Sequence, residues 1–167
     1  MSTQPAKNVA DIARALGWYP EDAFDFVREG LSRAVERVHG PASPSHLVVS
    51  QFMAEHGLSF DDLYDQLVTG KLAAEIGRAI ERAGGFDKLN RHVSGNDLCW
   101  ALRDIARKRW GMLARLVLAR WKITQTIDFG HIVFAMIKHN LLQKQPQDSL
   151  DDFDDVFDFT EAFGSDS

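Results

Sequence analysis

The feature that most constrains this chain is a series of apolar stripes at helical spacing, bounded by residues that start or end helices. The clearest example begins at Ser94, which is followed three residues later by Asp97, the spacing of an N-cap. Leu98 and Leu102 then lie four residues apart, so they share one face of a helix. The pattern predicts a helix over residues 95–109 with its apolar face in the protein core.

Similar signals recur along the rest of the chain, whereas signals for strands are few. Helices are predicted over residues 8–16, 20–38, 47–55, 63–67, 71–83, 112–121 and 128–140. The best strand candidates are residues 141–144 and part of 153–159, which are separated by a segment of turn composition. The sequence therefore predicts a mainly α, multi-helical single domain. Two helices followed by a hairpin have the element order of a winged helix. The C-terminal half of the domain can therefore be winged-helix-like, with a short hairpin after the last long helix.

The chain length fits one domain with a core of its own. The 167 residues are 45% apolar and 26% charged, and a chain of this size buries about 70% of the surface that its unfolded form exposes. We predict a single helical domain over residues 8–163, in which residues 89–163 are the best-specified part. Residues 164–167 are predicted to be a disordered tail.

Cysteine content and hydropathy exclude several protein classes. The single cysteine, Cys99, excludes an internal disulfide framework and any multi-cysteine metal site. Its apolar neighbours favour a small buried side chain over a nucleophile. The longest apolar run, residues 132–137, is far shorter than the roughly 18 residues of a membrane span, and the first residues lack the apolar region of a signal peptide. We therefore expect a cytoplasmic protein without a membrane partner.

Charge is divided along the chain into blocks of opposite sign. Residues 1–90 hold 9 Lys and Arg against 13 Asp and Glu, residues 91–125 hold 8 against 2, and residues 126–167 hold 2 against 9. Adjacent blocks of opposite sign either pair within the fold or mark a basic surface beside an acidic tail. Residues 91–125 are therefore the candidate segment for binding nucleic acid, and the acidic tail is their candidate intramolecular partner.

The basic block offers a specific candidate surface. On the predicted helix, Trp100, Arg103 and Arg107 share a sector away from the apolar stripe, where an indole and two guanidinium groups can stack or present a joint surface. The remaining members of this candidate basic surface are Lys108, Arg115 and Arg120. A solvated basic face that pairs with the acidic tail explains the same residues, and this alternative stays open.

The acidic C-terminal segment interleaves carboxylates with large apolar side chains. Its candidate docking residues are Asp152, Phe153, Asp155, Phe157 and Phe159. Such alternation suits either a docking peptide for a partner or the last element of the protein's own fold. Full burial of a large apolar side chain contributes roughly 1.5 to 3 kcal/mol, so we expect these aromatic side chains to be buried. We favour the protein's own core over a partner's surface as the place of burial.

Three polar residues are candidates for a catalytic or ligand-binding role. His92 lies just before a predicted helix. Asp128 and His131 are about one helical turn apart, the spacing of a base with its orienting carboxylate or of two metal ligands, but a helix cap and a surface histidine explain the same pair. The sequence has no phosphate loop, no dinucleotide glycine pattern and no nucleophile elbow. We therefore assign no catalytic residue, no metal and no cofactor.

Three sequence motifs follow one another in a recognisable order. They are Arg91-His92-Val93-Ser94-Gly95, Asp128-Phe129-Gly130-His131-Ile132-Val133-Phe134, and Asp148-Ser149 with Asp152-Phe153. In these motifs, RHxSG, DFGxIVF and DSxxDF, the chain resembles an uncharacterised family of small bacterial proteins with no assigned activity. The resemblance covers roughly residues 16–40 and 89–163. It implies a bacterial source and no mechanism, and residues 41–88, which fall outside the pattern, are predicted to be an insertion.

These observations favour binding over catalysis. We expect a non-catalytic protein-protein interaction or adaptor module, with a protein partner whose identity the sequence does not specify. Nucleic-acid binding through residues 91–125 is the alternative, and an unrecognised enzyme is the third hypothesis. The sequence leaves the oligomeric state open.

Overall fold

The chain folds into a mainly helical protein, which confirms the prediction from apolar periodicity. A computed structural model describes residues 2–3 and 8–164. The α-helices are α1 (Val9–Leu16), α2 (Glu21–His39), α3 (Pro44–His56), α4 (Phe60–Val68), α5 (Ala74–Arg82), α6 (Gly95–Trp110), α7 (Ala114–Arg120), α8 (Thr126–Lys138) and α9 (Phe159–Ala162). Short 3₁₀ helices cover Phe86–Lys88, Gly111–Leu113 and Leu150–Phe153. The strands β1 (Ser2–Thr3) and β2 (Leu142–Gln143) are antiparallel, with Ser2 opposite Gln143 and Thr3 opposite Leu142.

The described part of the chain divides into two compact units. Unit 1 contains the described residues of Met1–Val38 and His92–Ser167, and unit 2 is His39–Arg91. Unit 2 includes residues 41–88, and the origin of that segment as an insertion stays a prediction. The predicted disordered tail lies outside the described residues, apart from Gly164.

The core of unit 1 is built from the apolar stripes that the sequence singles out. Five residues of α6 and α8 are fully buried in one cluster, namely Leu98, Leu102, Ile132, Val133 and Met136. Trp121 is partly buried against the cluster. Its ring centre lies 5.7 Å from that of Phe26 and 5.5 Å from that of Trp110. Helices α6 and α8 therefore supply the apolar centre of unit 1, which stabilises it by removing these side chains from water.

Unit 2 has a small core of its own. Its buried residues are Val49, Leu63, Ile76, Ala79, Ile80 and Leu89. Polar contacts join the two ends of the unit: His46 Nε2 is 2.9 Å from the carbonyl oxygen of Lys88, and Arg91 donates to the carbonyl oxygen of Gly40 at 2.5 Å. These contacts close the unit on itself between residues 40 and 91.

Helix boundaries follow the capping residues, with one correction. Helices α4 and α6 each begin with a reciprocal capping box, and in α6 it is formed by Ser94 and Asp97. In α8 the N-cap is Gln125, and Asp128 is the third residue of the helix rather than its cap. The Asp128 carboxylate accepts a hydrogen bond from the backbone N–H of Gln125 at 3.0 Å. This contact lets α8 start two residues before the predicted position.

The described residues do not form the C-terminal hairpin that the sequence left open as one possibility. Residues 142–143 do form a strand, but they pair with β1 rather than with residues 153–159. The latter segment follows a 3₁₀ helix and leads into α9. Ser149 and Asp152 form a capping box that turns the chain into the 3₁₀ helix before this segment. The second predicted strand is therefore absent from this part of the structure.

Candidate functional site

The three motifs of the resemblance meet at the side chain of Phe153. This residue is 1% exposed and lies beside two glycines, Gly95 of the first motif and Gly130 of the second. A Cβ atom at Gly95 would lie 2.9 Å from the Phe153 ring, and a Cβ atom at Gly130 would lie 2.9 Å from Phe153 Cβ. Both distances are shorter than a carbon–carbon van der Waals contact. Only glycine therefore lets α6 and α8 approach Phe153 so closely.

Hydrogen bonds from the start of α8 fix the same junction. The buried Thr126 hydroxyl donates to the carbonyl oxygen of Phe153 at 2.6 Å and accepts from the backbone N–H of Val156 at 3.1 Å. A hydroxyl that donates and accepts in this way satisfies both of its roles away from water. Residues 153–156, the end of the 3₁₀ helix and the turn that follows it, are thereby tied to α8.

The acidic C-terminal segment packs into the core of unit 1 through its aromatic side chains. Phe153 and Phe159 are buried, and Phe157 is partly buried against the same cluster. Asp152 and Asp155 are exposed. The aromatic side chains are thus covered by the protein's own core, the place of burial that the sequence analysis favoured. A docking role for this segment stays a prediction. Of its candidate docking residues, the exposed ones are Asp152 and Asp155.

A histidine and a buried carboxylate link the first and third motifs. His92 Nε2 lies 3.5 Å from Asp148 Oδ1, and their side chains are 19% and 4% exposed. The second Asp148 oxygen accepts a hydrogen bond from the backbone N–H of Gln145 at 2.9 Å. A carboxylate this deeply buried requires such partners. The contact holds the segment before α6 against the segment that follows β2. Its role is therefore structural.

Asp128 and His131 are not bonded to each other in the described structure. Asp128 Oδ1 accepts a hydrogen bond from the Tyr19 hydroxyl at 2.5 Å, and Oδ2 accepts from the backbone N–H groups of residues 124 and 125 at 2.9 and 3.0 Å. Burial and the neighbouring Asp128 carboxylate raise the pKa of Tyr19. The His131 ring packs edge-on against Trp18, with ring centres 5.4 Å apart. Asp128 therefore holds the backbone that leads into α8 and anchors Tyr19.

Trp100, Arg103 and Arg107 lie on one face of α6, and that face meets the C-terminal segment. The Trp100 ring centre is 4.9 Å from that of Phe157, and the guanidinium carbon of Arg103 lies 5.7 Å from the Trp100 ring centre. Arg107 donates to the carbonyl oxygen of Ala162 at 3.4 Å. Part of the candidate basic surface is therefore engaged within unit 1, by a ring and a carbonyl oxygen.

The other members of the candidate basic surface lie on different faces of unit 1. Lys108 lines a groove between α2 and α6, whereas Arg115 and Arg120 are exposed on α7. The basic block continues from α6 into α7, and the 3₁₀ helix Gly111–Leu113 separates the two helices. The six residues proposed from the sequence are for this reason divided among three places rather than gathered on one.

Cys99 has no access to solvent. It is fully buried on α6, and burial raises the pKa of its thiol to about 12. A cysteine acts as a nucleophile through its thiolate, which burial of this kind suppresses near neutral pH. Cys99 therefore serves as a small apolar side chain in the core.

An exposed apolar surface lies where the sequence predicts only a further apolar helix. Met112, Leu113 and Leu116 are 71%, 61% and 61% exposed. Leu116 follows Met112 and Leu113 by four and three residues, a spacing that brings side chains together on a helix, and we call the three residues the 112–116 surface. Ala114 and Leu118 of α7 are fully buried. The sequence does contain a signal for this surface, because apolar residues lie on both faces of the predicted helix and a surface helix needs only one apolar face.

Comparisons with known proteins provide no relative from which a role can be transferred. The chain matches no protein-family model, no curated protein and no solved structure. Within residues 2–3 and 8–164, no group of three or more His, Cys, Asp or Glu side chains is placed to hold a metal ion. No helix in that part of the chain is both long enough and apolar enough to cross a bilayer. Functional inference therefore rests on the surfaces described above.

Proposed function

We propose that this protein is a non-catalytic interaction module that binds a partner protein through the 112–116 surface. The proposal is carried by the exposure of Met112, Leu113 and Leu116, at 71%, 61% and 61%, on the 3₁₀ helix and α7, whose Ala114 and Leu118 are buried in the core. Leaving large apolar side chains in water forgoes roughly 1.5 to 3 kcal/mol for each one. Contiguous apolar surfaces on folded proteins are typical of interaction sites.

The charges beside this surface indicate the chemistry of the partner. Arg115 and Arg120 are exposed on α7, next to the apolar side chains in the sequence. Residues 105–127 contain no Asp or Glu. A partner that combines apolar with acidic side chains complements both features, as an amphipathic helix with acidic flanks does.

Affinity purification of the tagged protein from its own host tests the proposal. The wild-type protein is compared with a Leu113→Asp, Leu116→Asp double variant. Leu47 and Val68 of unit 2 are 60% and 64% exposed, so Leu47→Asp with Val68→Asp is a control matched in exposure and charge. We expect a partner in constant ratio to the wild-type and control proteins and its loss from the 113/116 variant. Recovery of the same proteins with all three would contradict the proposal.

Nucleic-acid binding through residues 91–125 is the second candidate, supported by the exposure of Arg115 and Arg120. Nuclease treatment during the purification separates the two hypotheses, because a direct protein partner survives it. A gel-shift titration supplies a direct test. If nucleic acid binds, its affinity should fall steeply with added salt, and Arg115→Gln with Arg120→Gln should flatten that dependence. The absence of any shift with DNA or RNA at low salt would reject this candidate.

A further inference from the structure

A groove in unit 1 lies away from the 112–116 surface and carries an excess of cations. It is formed between α2 and α6 and has a volume of about 600 Å³. Arg33 and Arg37 of α2 line one wall, and Lys108 and Arg109 of α6 line the other. Glu36 and Asp104 line it as well, so the lining has four cations and two carboxylates. A concave site with an excess of one charge attracts ligands of the opposite sign.

Two of the four cations are already neutralised by carboxylates. Arg37 forms an ion pair with Asp104, and Arg109 forms one with Glu29. Hydrogen bonding to Arg109 lowers the pKa of the Glu29 carboxyl, so this pair is charged at neutral pH. Arg33 and Lys108 have no ion-pair partner among the residues that the structure describes. Once Glu36, the remaining lining carboxylate, is counted, the groove keeps a net positive charge, with Arg33 on one wall and Lys108 on the other.

The remaining lining residues indicate which chemical groups a ligand of the groove would carry. Ala101 and Ile105 are buried core residues of α6 that give the groove an apolar part. Glu36 and Asp104 supply carboxylate oxygens that accept hydrogen bonds from amino or hydroxyl groups. A volume of about 600 Å³ falls within the range of roughly 300 to 1,000 Å³ typical of small-molecule sites. Such a site fits an organic anion with a ring and hydrogen-bond donors better than it fits a simple ion.

We infer that the groove between α2 and α6 binds a nucleoside phosphate. Arg33 and Lys108 contact the phosphate groups from opposite walls, since guanidinium and ammonium groups are the usual phosphate ligands in proteins. The base lies on Ala101 and Ile105, and the two carboxylates accept hydrogen bonds from the sugar or the base. This inference is independent of the proposed docking function, because the two sites share no residue.

Calorimetric titration of the full chain with ATP, AMP, adenosine and inorganic phosphate tests the inference. We expect ATP to bind more tightly than AMP, because it presents more negative charge to the two cations. Adenosine and inorganic phosphate should each bind at least about tenfold more weakly than AMP, since each offers only part of the ligand. The wild-type affinity for AMP should also fall as salt is added, a result that needs no variant.

A pair of variants with equal changes in charge locates the site. Arg33→Gln with Lys108→Gln should weaken AMP binding by at least about tenfold, whereas Arg115→Gln with Arg120→Gln should leave it within about twofold. The substituted side chains are exposed, so the unfolding midpoint should not move. The inference is overturned by absent nucleotide binding at millimolar concentration, by equal weakening in both variants, or by phosphate binding as tightly as AMP.

Discussion

Gly30 of α2 lies against Leu102 of α6. We predict that the effect of Gly30→Ala on the free energy of unfolding changes sign when Leu102 is replaced by alanine. Leu102 is fully buried, so Leu102→Ala should lower the free energy of unfolding by about 2 to 5 kcal/mol. A Cβ atom at Gly30 would overlap Leu102 Cδ2 and lie 2.8 Å from Leu102 Cγ. In the wild-type protein, Gly30→Ala should therefore cost about 1 to 3 kcal/mol through overpacking, partly offset by about 1 kcal/mol of helix propensity.

Removing the Leu102 side chain reverses the expected effect. The next atom near a Cβ at Gly30 is Leu98 Cδ1, at 3.5 Å, an ordinary van der Waals contact. In the Leu102→Ala protein, Gly30→Ala should then raise the free energy of unfolding by about 1 kcal/mol, because the overlap is gone and the helix gains a better residue. The coupling energy between the two substitutions should be about 1 to 3 kcal/mol.

Urea unfolding of the wild-type protein, the two single variants and the double variant measures this coupling. The four tryptophans, Trp18, Trp100, Trp110 and Trp121, all belong to unit 1, so their fluorescence reports the unit that contains both substituted residues. Free energies are compared only where the dependence on urea is unchanged. A Gly30→Ala effect that is destabilising in both proteins, or additive within about 0.5 kcal/mol, would refute the reasoning.

Two further predictions concern titratable groups of unit 1. Burial raises the pKa of the Cys99 thiol to about 12, so a thiol reagent near pH 8 should modify Cys99 only when unit 1 unfolds; reaction at the rate of a free cysteine would contradict its burial. Burial opposes ionisation of Asp104, but hydrogen bonds from Arg37 and Arg103 outweigh it and hold the pKa of this carboxyl below its ordinary value. This carboxylate therefore contributes stability above about pH 4 that is lost as the pH falls through its lowered folded-state pKa. Asp104→Asn should make the free energy of unfolding, measured by urea titration from about pH 5 to 2, fall slightly less steeply with acid, and an unchanged slope would show that the pairing contributes nothing.

The helices were predictable because their signals are local. The capping box at Ser94 and the stripe through Leu98 and Leu102 place α6 within one residue of its observed end. The segment 153–159 was ambiguous because its aromatic spacing fits both a helix and a strand. Its conformation depends on a hydrogen bond from Thr126, which lies 27 positions before Phe153. Periodicity carries no information about such a partner.

The candidate binding sites were less predictable from the sequence than the helices. The groove joins residues that are distant in the sequence, and the 112–116 surface consists of apolar residues that local patterns do not distinguish from buried ones. The groove brings Arg33 together with Lys108, which are far apart in the sequence and on separate helices. For α7, composition shows that Leu116 and Leu118 are both apolar, but only packing decides that the first is exposed and the second is buried. A stripe indicates that a face is apolar, whereas the neighbouring elements determine whether anything covers it.

The discontinuity of unit 1 has a consequence for how the protein is made. Phe153 follows Val38 by 115 positions, an interval that takes about 6 to 23 s at translation rates of about 5 to 20 residues per second. During that interval Phe24, which is fully buried in the finished protein, lacks part of its core, because residues 92–153 of unit 1 are added only gradually. Residues 39–91 emerge in the meantime with all of their own unit present. On the ribosome, the helices made first are thus among the last to be covered, and they are the surfaces open to chaperones or to aggregation while translation continues.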